Sequence, residues 1–227
     1  MDRERITQAA KDFLTEYKGD SAAETPHAWP IIVTVAANDV AHKTSCYYDS
    51  ESRNLTSGVS DYPPGTVYAI RRVTCSDGAG NMPAIGPMSI EDLNTWGIVQ
   101  GFVQSNGAYV AGAPTQWIRL AENRIRVVPV PNYAAANGLI IEGLAYPGDR
   151  WPEDHSECPL PLHYHYAVAI RAAVIRAGQF PDDENKARVA AMAAVYETEI
   201  EAAKLMAGQT AQIQAQMDIS PPAMGGI

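Results

Sequence analysis

The stretch that most constrains how this chain can fold is residues 159–180, PLPLHYHYAVAIRAAVIRAGQF. Pro161 suits a first helical position, because its missing N–H would have no helical partner there. Behind it, Leu162, Tyr166, Ala169, Ala173 and Phe180 fall on one stripe at helical spacing, and Val168, Ile170, Val174 and Ile175 make most of the remaining circumference apolar. A helix that is apolar on nearly all sides must be covered on several of them. The sequence therefore predicts a central helix covered on several sides.

Other segments can supply that cover. Asp2 can cap a first helix whose face carries Ile6, Ala10, Phe13 and Tyr17. The stretch AWPIIVTVAANDVAHKTSCYY reads as strand at its β-branched opening. Its length, Pro30 and the shared face of Val33, Ala37, Val40 and Thr44 favour helix, and helix is expected. After Pro181, an acidic first turn and the line Val189, Ala193, Tyr196, Ile200 and Ala203 predict a last helix, with Gly208 as its stop.

The middle of the chain reads differently. RNLTSGVSDYPPGTVYAIRRVTC offers two short strands around a Pro-Pro-Gly turn, followed by the loop SDGAGNMPAIGP. Ser89 with Asp92 caps a short helix, SIEDLNTWG. QWIRLAENRIRVVPV reads as a hairpin turning at Glu122-Asn123, and GLIIEGLAYP as a further strand. Residues from roughly 50 to 147 are thus expected to be β-rich.

Composition narrows the function. With 46% hydrophobic and 19% charged residues this is a folding chain, and its formal charge of −9 argues against gripping nucleic acid through phosphates. Arg71–Arg72 is the one adjacent basic pair, with a bland surface role expected. Cys46, Cys75 and Cys158 are too sparse for a disulfide framework, so reduced thiols in a cytosolic setting are expected. The opening MDRERITQAAKDF lacks the apolar core of a signal peptide, and no run reaches the ~18 apolar residues of a membrane helix.

Chemistry is sparse as well. His163 and His165 lie ~200° apart on a helix and cannot share a metal ion there. A zinc site built from His155, Cys158 and one of them would lack a second ligand pair at short spacing. Phosphate-binding, dinucleotide-binding, nucleophile-elbow and metalloprotease motifs are absent. The carboxylates at Asp182/Asp183/Glu184 and Glu197/Glu199/Glu201 read as a helix cap and a solvated face. No enzymatic activity, metal or cofactor is expected. The segment after Gly208, QTAQIQAQMDISPPAMGGI, has no periodicity that would bury it on its own domain, so it is expected to lie extended along another chain or stay disordered.

The order of these segments resembles the head-to-tail adaptor (connector) proteins of tailed bacteriophages. The matching residues are Gly112, Pro114 and Trp117, then Val128, Pro129, Val130 and Pro131, then Leu160, Pro161, Tyr164, His165 and Ala167. The resemblance covers about residues 1 to 207 and rests on order more than on any one degenerate motif. The loop GIVQGFVQSNGAYVAGAP and the β-branched second helix depart from the pattern.

The resemblance implies an α+β fold: a helical bundle of N-terminal helices (1–49) and C-terminal helices (159–208), a β-rich insertion (50–158) and an extended C-terminal tail (209–227). It implies a virion structural protein that forms a homo-oligomer ring, usually of twelve copies, in the neck between capsid and tail. Such a ring docks on the portal protein, meets tail or nozzle proteins and leaves an axial channel through which DNA passes, after assembly in the host cytoplasm. The tail would grip the portal through Ile213, Met217, Ile219, Pro221, Pro222, Met224 and Ile227. Two rival readings compete with it: a metal-dependent hydrolase using His155, Cys158, His163 and His165, and a glycan-binding tail module using Trp96, Trp117 and the loop between them.

Overall fold

The computed structural model describes residues 1–18, 29–120, 124–148, 151, 156–179 and 183–217, with side chains at all of these except 15–18, 183–185 and 209–217. The fold is mixed α and β. The chain divides into two compact units, one formed by Met1–Cys46 and Pro147–Ile227, the other by Tyr47–Tyr146.

The first unit is helical. Helices α1 (Arg3–Lys18), α2 (Trp29–Thr44) and α5 (Asp183–Met217) pack against α4 (His165–Gly178). The expectation for α4 holds: Ala167–Ile170, Ala172–Val174 and Ala177 are all buried. Small alanines let three neighbours approach closely, and the β-branched side chains fill what remains. The expected stripe, however, is rotated. Leu162 and Tyr166 are 74% and 51% exposed, and Phe180 lies outside the described residues. Tyr166 lies within α4 itself, on a part of its surface left exposed; for Leu162 the physical reason is a 3-10 turn, Leu162–Tyr164, that precedes the α-helix. Three residues per turn shift the phase, so positions read at 3.6 per turn point elsewhere.

Asp2 caps α1 as expected, its Oδ1 accepting from Arg5 N at 2.8 Å. The buried line runs through Ile6, Ala10 and Leu14, at strict four-residue spacing. Phe13 is only half-buried, and the Tyr17 side chain lies outside the described residues. The β-branched second segment is indeed helical, and it buries Trp29, Ile32, Val33, Ala36, Ala37, Val40 and Ala41. Tertiary packing overrides local strand preference there.

Gly208 does not stop the last helix. α5 continues to Met217, 35 residues in all, so the segment expected to be extended from 209 is helical for nine residues more. One glycine costs about 1 kcal/mol in a helix, and the flanking Ala, Gln and Met residues favour continuation. Residues 218–227 lie outside the described residues.

The second unit is built on a seven-stranded sheet of order β1-β7-β3-β4-β5-β6-β2. Its strands are β1 (Tyr48–Leu55), β2 (Asp61–Tyr62), β3 (Val67–Cys75), β4 (Ala84–Pro87), β5 (Gln116–Leu120), β6 (Arg124–Val128) and β7 (Ala135–Ala145). The strands flanking Pro-Pro-Gly form but do not pair with each other. β1 and β3 each pair antiparallel with β7, and β2 pairs with β6. β7 is the longest strand and offers two ladders, which outweigh one local turn. The β5–β6 hairpin is present, with its turn outside the described residues. β4 sits within what reads as loop, because a strand of sequence AIGP has too few β-formers to signal itself.

One apolar core takes Leu55, Tyr62, Val73, Ile85, Trp117, Ile125 and Ile141 from all seven strands. A single cluster fed by every strand requires the sheet to curl around it. On the opposite face of β5 and β6, Ile118 and Val128 pack with Leu93 of α3 (Ile90–Trp96). Ser89 caps α3 as expected, its Oγ accepting from Asp92 N at 2.9 Å. The long loop that follows is tied back by bridges Val103↔Tyr109 and Ala111↔Val130.

Candidate functional site

The histidines divide in role. His165 is buried; its Nδ1 lies 2.8 Å from the Met1 amino group, and its Nε2 lies 2.8 Å from the Leu160 carbonyl oxygen. This pairing puts the ring proton on Nε2, donating to Leu160, and leaves Nδ1 as acceptor. Burial first, and then the nearby amino group, hold the imidazole below its usual basicity. Both nitrogens are thereby committed to joining the chain start to the beginning of α4. His163 is half-buried against the Tyr164 ring, centroids 4.2 Å apart, and its Nε2 has no hydrogen-bond partner. Burial pushes the Cys158 thiol up to about 11. His155 lies outside the described residues. Among the described residues, no three His, Cys, Asp or Glu side chains converge on one point.

The rival aromatic platform also separates. Trp117 is in the core of the sheet, whereas Trp96 is 52% exposed at the end of α3. Of the α5 carboxylates, Glu197 pairs at the surface with Lys43 at 2.6 Å and Glu201 with Lys204 at 2.9 Å. Asp182 and the side chains of Asp183 and Glu184 lie outside the described residues. All three thiols, Cys46, Cys75 and Cys158, are free. Among the described residues, no helix is long and apolar enough to cross a membrane.

The strongest polar constellation, which sequence reasoning missed, is a clamp in the sheet unit. Arg126 on β6 donates from Nε and Nη2 to the two oxygens of Asp61 on β2, at 2.7 and 2.8 Å. Its Nη1 donates to Tyr109 Oη at 2.7 Å, which anchors the long loop. This arrangement holds short β2 in place of a longer ladder. The arginine hydrogen bond lowers the Asp61 pKa below the ordinary carboxylate value. Its contribution is therefore present above that ordinary value and is lost as pH falls through the depressed one. Comparing wild type with Asp61→Asn by urea unfolding checks this. The stability gap should be constant above about pH 4.5 and should shrink below it. A gap independent of pH down to 2 would show that the pair contributes nothing as an ion pair.

What remains is surface suited to association. In the helical unit, Ile31 and Val35 of α2 are exposed beside Arg3, Pro30 and Thr34, around a shallow cavity of about 260 Å³. Leu162, Tyr166, Leu205 and Met206 are exposed on the α4–α5 side. In the sheet unit, Ile90, Trp96, Ile98 and Val99 are exposed along α3 and its exit. Of the expected tail contacts, Ile213 and Met217 fall on α5, while Ile219, Pro221, Pro222, Met224 and Ile227 lie outside the described residues. Leu205 and Met206 were legible only as apolar residues off the buried line of α5.

A family model described as SU10 adaptor protein matches residues 4–222. The search of curated proteins finds no match.

Proposed function

Since the chain belongs to the SU10 adaptor protein family, we propose that it is the head-to-tail adaptor of a phage virion: a ring that docks on the portal, joins capsid to tail and leaves an axial passage for DNA. The single observation that carries this reading is a family match that spans nearly the whole chain and runs into its C-terminal segment. A ring needs a heterologous interface, with two different patches on each subunit and a rotation that closes. Exposed apolar side chains on α2, and separately on the α4–α5 side, supply candidate patches for it. Twelve copies, each with a formal charge of −9, would make the assembly strongly negative and keep DNA from sticking during passage. The C-terminal segment, with Ile213, Met217, Ile219, Pro221, Pro222, Met224 and Ile227, is the portal contact in this reading, reached from the end of the long α5.

Electron micrographs of the purified protein, with and without purified portal assemblies, test the proposal. Closed rings seated on portals are expected with the full chain. Removing residues 209–227 should abolish seating while the circular dichroism spectrum keeps its helical signal. Seating that survives this deletion would remove the tail assignment, and a protein that never forms rings on portals would remove the adaptor role.

A further inference from the structure

Three Asp or Asn residues of this chain, Asp77, Asn106 and Asn137, are followed by glycine. A glycine N–H carries no side chain to hinder it, so it can attack the preceding side-chain carbonyl carbon and close a five-membered ring. The local signal is the same at all three places. Their surroundings are not.

Two of the pairs are held. Asp77 accepts from Ala79 N at 2.7 Å and Asn81 N at 3.1 Å through Oδ1, and from Asn81 Nδ2 at 2.7 Å through Oδ2. The Asn81 and Ala79 bonds keep its carboxyl below the ordinary value, and an ionised carboxylate resists attack. Gly78 lies against the Tyr133 ring, and its N–H donates to Ser76 Oγ at 3.2 Å. Asn137 is fixed on β1: its N–H donates to Asn54 Oδ1 at 2.8 Å, and its Oδ1 accepts from Ser52 Oγ at 3.0 Å. Gly138 is buried, with its carbonyl oxygen accepting from Ser76 N at 2.7 Å. Ring closure at Asn137 therefore requires β7 to part from β1.

Asn106–Gly107 stands at the tip of a hairpin closed by the Val103↔Tyr109 bridge, and residues Gln104 to Tyr109 are all exposed. The tip is tied by its own hydrogen bonds. Gly107 N donates to Gln104 O at 2.9 Å, Gln104 N to Ala108 O at 2.7 Å, and Ala108 N to Asn106 Oδ1 at 3.0 Å. Gly107 has φ +82 and open space where a Cβ would lie. Freeing its N–H breaks one exposed hydrogen bond and leaves the seven-stranded sheet intact.

We propose that Asn106 is a site of spontaneous deamidation, at which the folded protein gains a carboxylate at the tip of this loop. Water takes the Gly107 N–H proton as the nitrogen bonds to Asn106 Cγ. The Cγ–Nδ2 bond breaks, ammonia leaves, and a succinimide remains. Water then adds to either ring carbonyl and opens the ring to aspartate or isoaspartate, so the net reaction is hydrolysis of the side-chain amide. The Ala108 N–H on Oδ1 faces the oxygen on which charge develops during the attack. Residues 93–118 contain no Asp, Glu, Lys, Arg or His, so the product places the first ionised carboxylate in that run, where Trp96, Ile98 and Val99 are exposed. Isoaspartate also lengthens the main chain by one methylene, which displaces Gly107 N from Gln104 O.

The test incubates the full-length protein at mildly alkaline pH, folded and in guanidinium chloride, and follows it by peptide mass spectrometry. Trypsin places Asn106 in peptide 73–119 and Asn137 in peptide 127–150, and fragment ions locate each conversion of amide to acid. In the folded protein Asn106 is expected to convert at least about tenfold faster than Asn137, because a strand opens far less often than an exposed turn. In guanidinium chloride the two rates should approach each other. Asn106→Gln, whose longer side chain would have to close a six-membered ring, should remove conversion at this position while its circular dichroism matches wild type. Equal rates at the two asparagines in the folded protein, or faster conversion at Asn137, would overturn the proposal. So would an Asn106 that stays intact in the folded protein, whether or not the unfolded chain converts.

Discussion

Tyr196→Ala is expected to destabilise the helical unit by about 3–5 kcal/mol, the range for deleting a large buried aromatic side chain. Tyr196 on α5 is fully buried, and its hydroxyl donates to Asp39 Oδ2 of α2 at 2.8 Å. Arg171 of α4 sets its Nε 2.9 Å from the same oxygen, a close charge contact rather than an aligned hydrogen bond, with its guanidinium carbon 5.3 Å from the Tyr196 ring. Lys43 Nζ lies 4.6 Å from that ring on the α2 side. One side chain therefore joins three helices by packing, by a hydrogen bond and by two cation contacts. Burial, and then the Asp39 carboxylate, push the phenol well above its ordinary pKa, so it stays a donor at any working pH. Tyr196→Phe keeps the ring and loses only the hydroxyl, and should cost about 1.5 kcal/mol. Urea unfolding followed by circular dichroism separates the two. Equal losses in both variants would show that the ring itself contributes little.

Gly143→Ala should cost about 3 kcal/mol or more, through the sheet rather than the helices. Gly143 lies mid-strand on β7, opposite Asp49 of β1 and Ile70 of β3. A Cβ there would sit 2.1 Å from the Ala69 carbonyl oxygen and 3.0 Å from Ile70 Cα. These are backbone atoms, which cannot rotate away, so β3 must separate from β7 where the ladder is already irregular on both sides of Ala69–Ile70. Hydrogen exchange of β7 amides should accelerate in the variant. A contrasting change, Gly178→Ala at the end of α4, meets nothing within 4 Å and should be neutral or stabilising. A Gly143→Ala protein as stable as wild type would mean that β3 and β7 are not this close.

The residues that carried the resemblance are mostly packing residues. Trp117, Val128, Leu160, Tyr164, His165 and Ala167 are all buried. They report the fold of the family and leave its contacts unstated, because burial constrains residue type strongly whereas exposed contacts are read by a partner absent from the sequence. The clamp of Asp61, Arg126 and Tyr109 had no local signal. Its members are separated by 17 to 65 positions, and only strand pairing brings them together.

Local patterning by itself determined that an apolar α4 would be central and covered on several sides, that Ser89 would cap α3, and that β5 and β6 would form a hairpin. Each is a property of neighbours along the chain, where side-chain period and capping act within a few residues. Only the tertiary structure decided that β1 and β3 share β7 rather than each other, that β4 stops short beside β5, that a 3-10 turn rotates Leu162 outward, and that α5 runs through Gly208. Those outcomes balance long-range pairing and burial against weak local preferences, and differences of about 1 kcal/mol per residue cannot settle them locally.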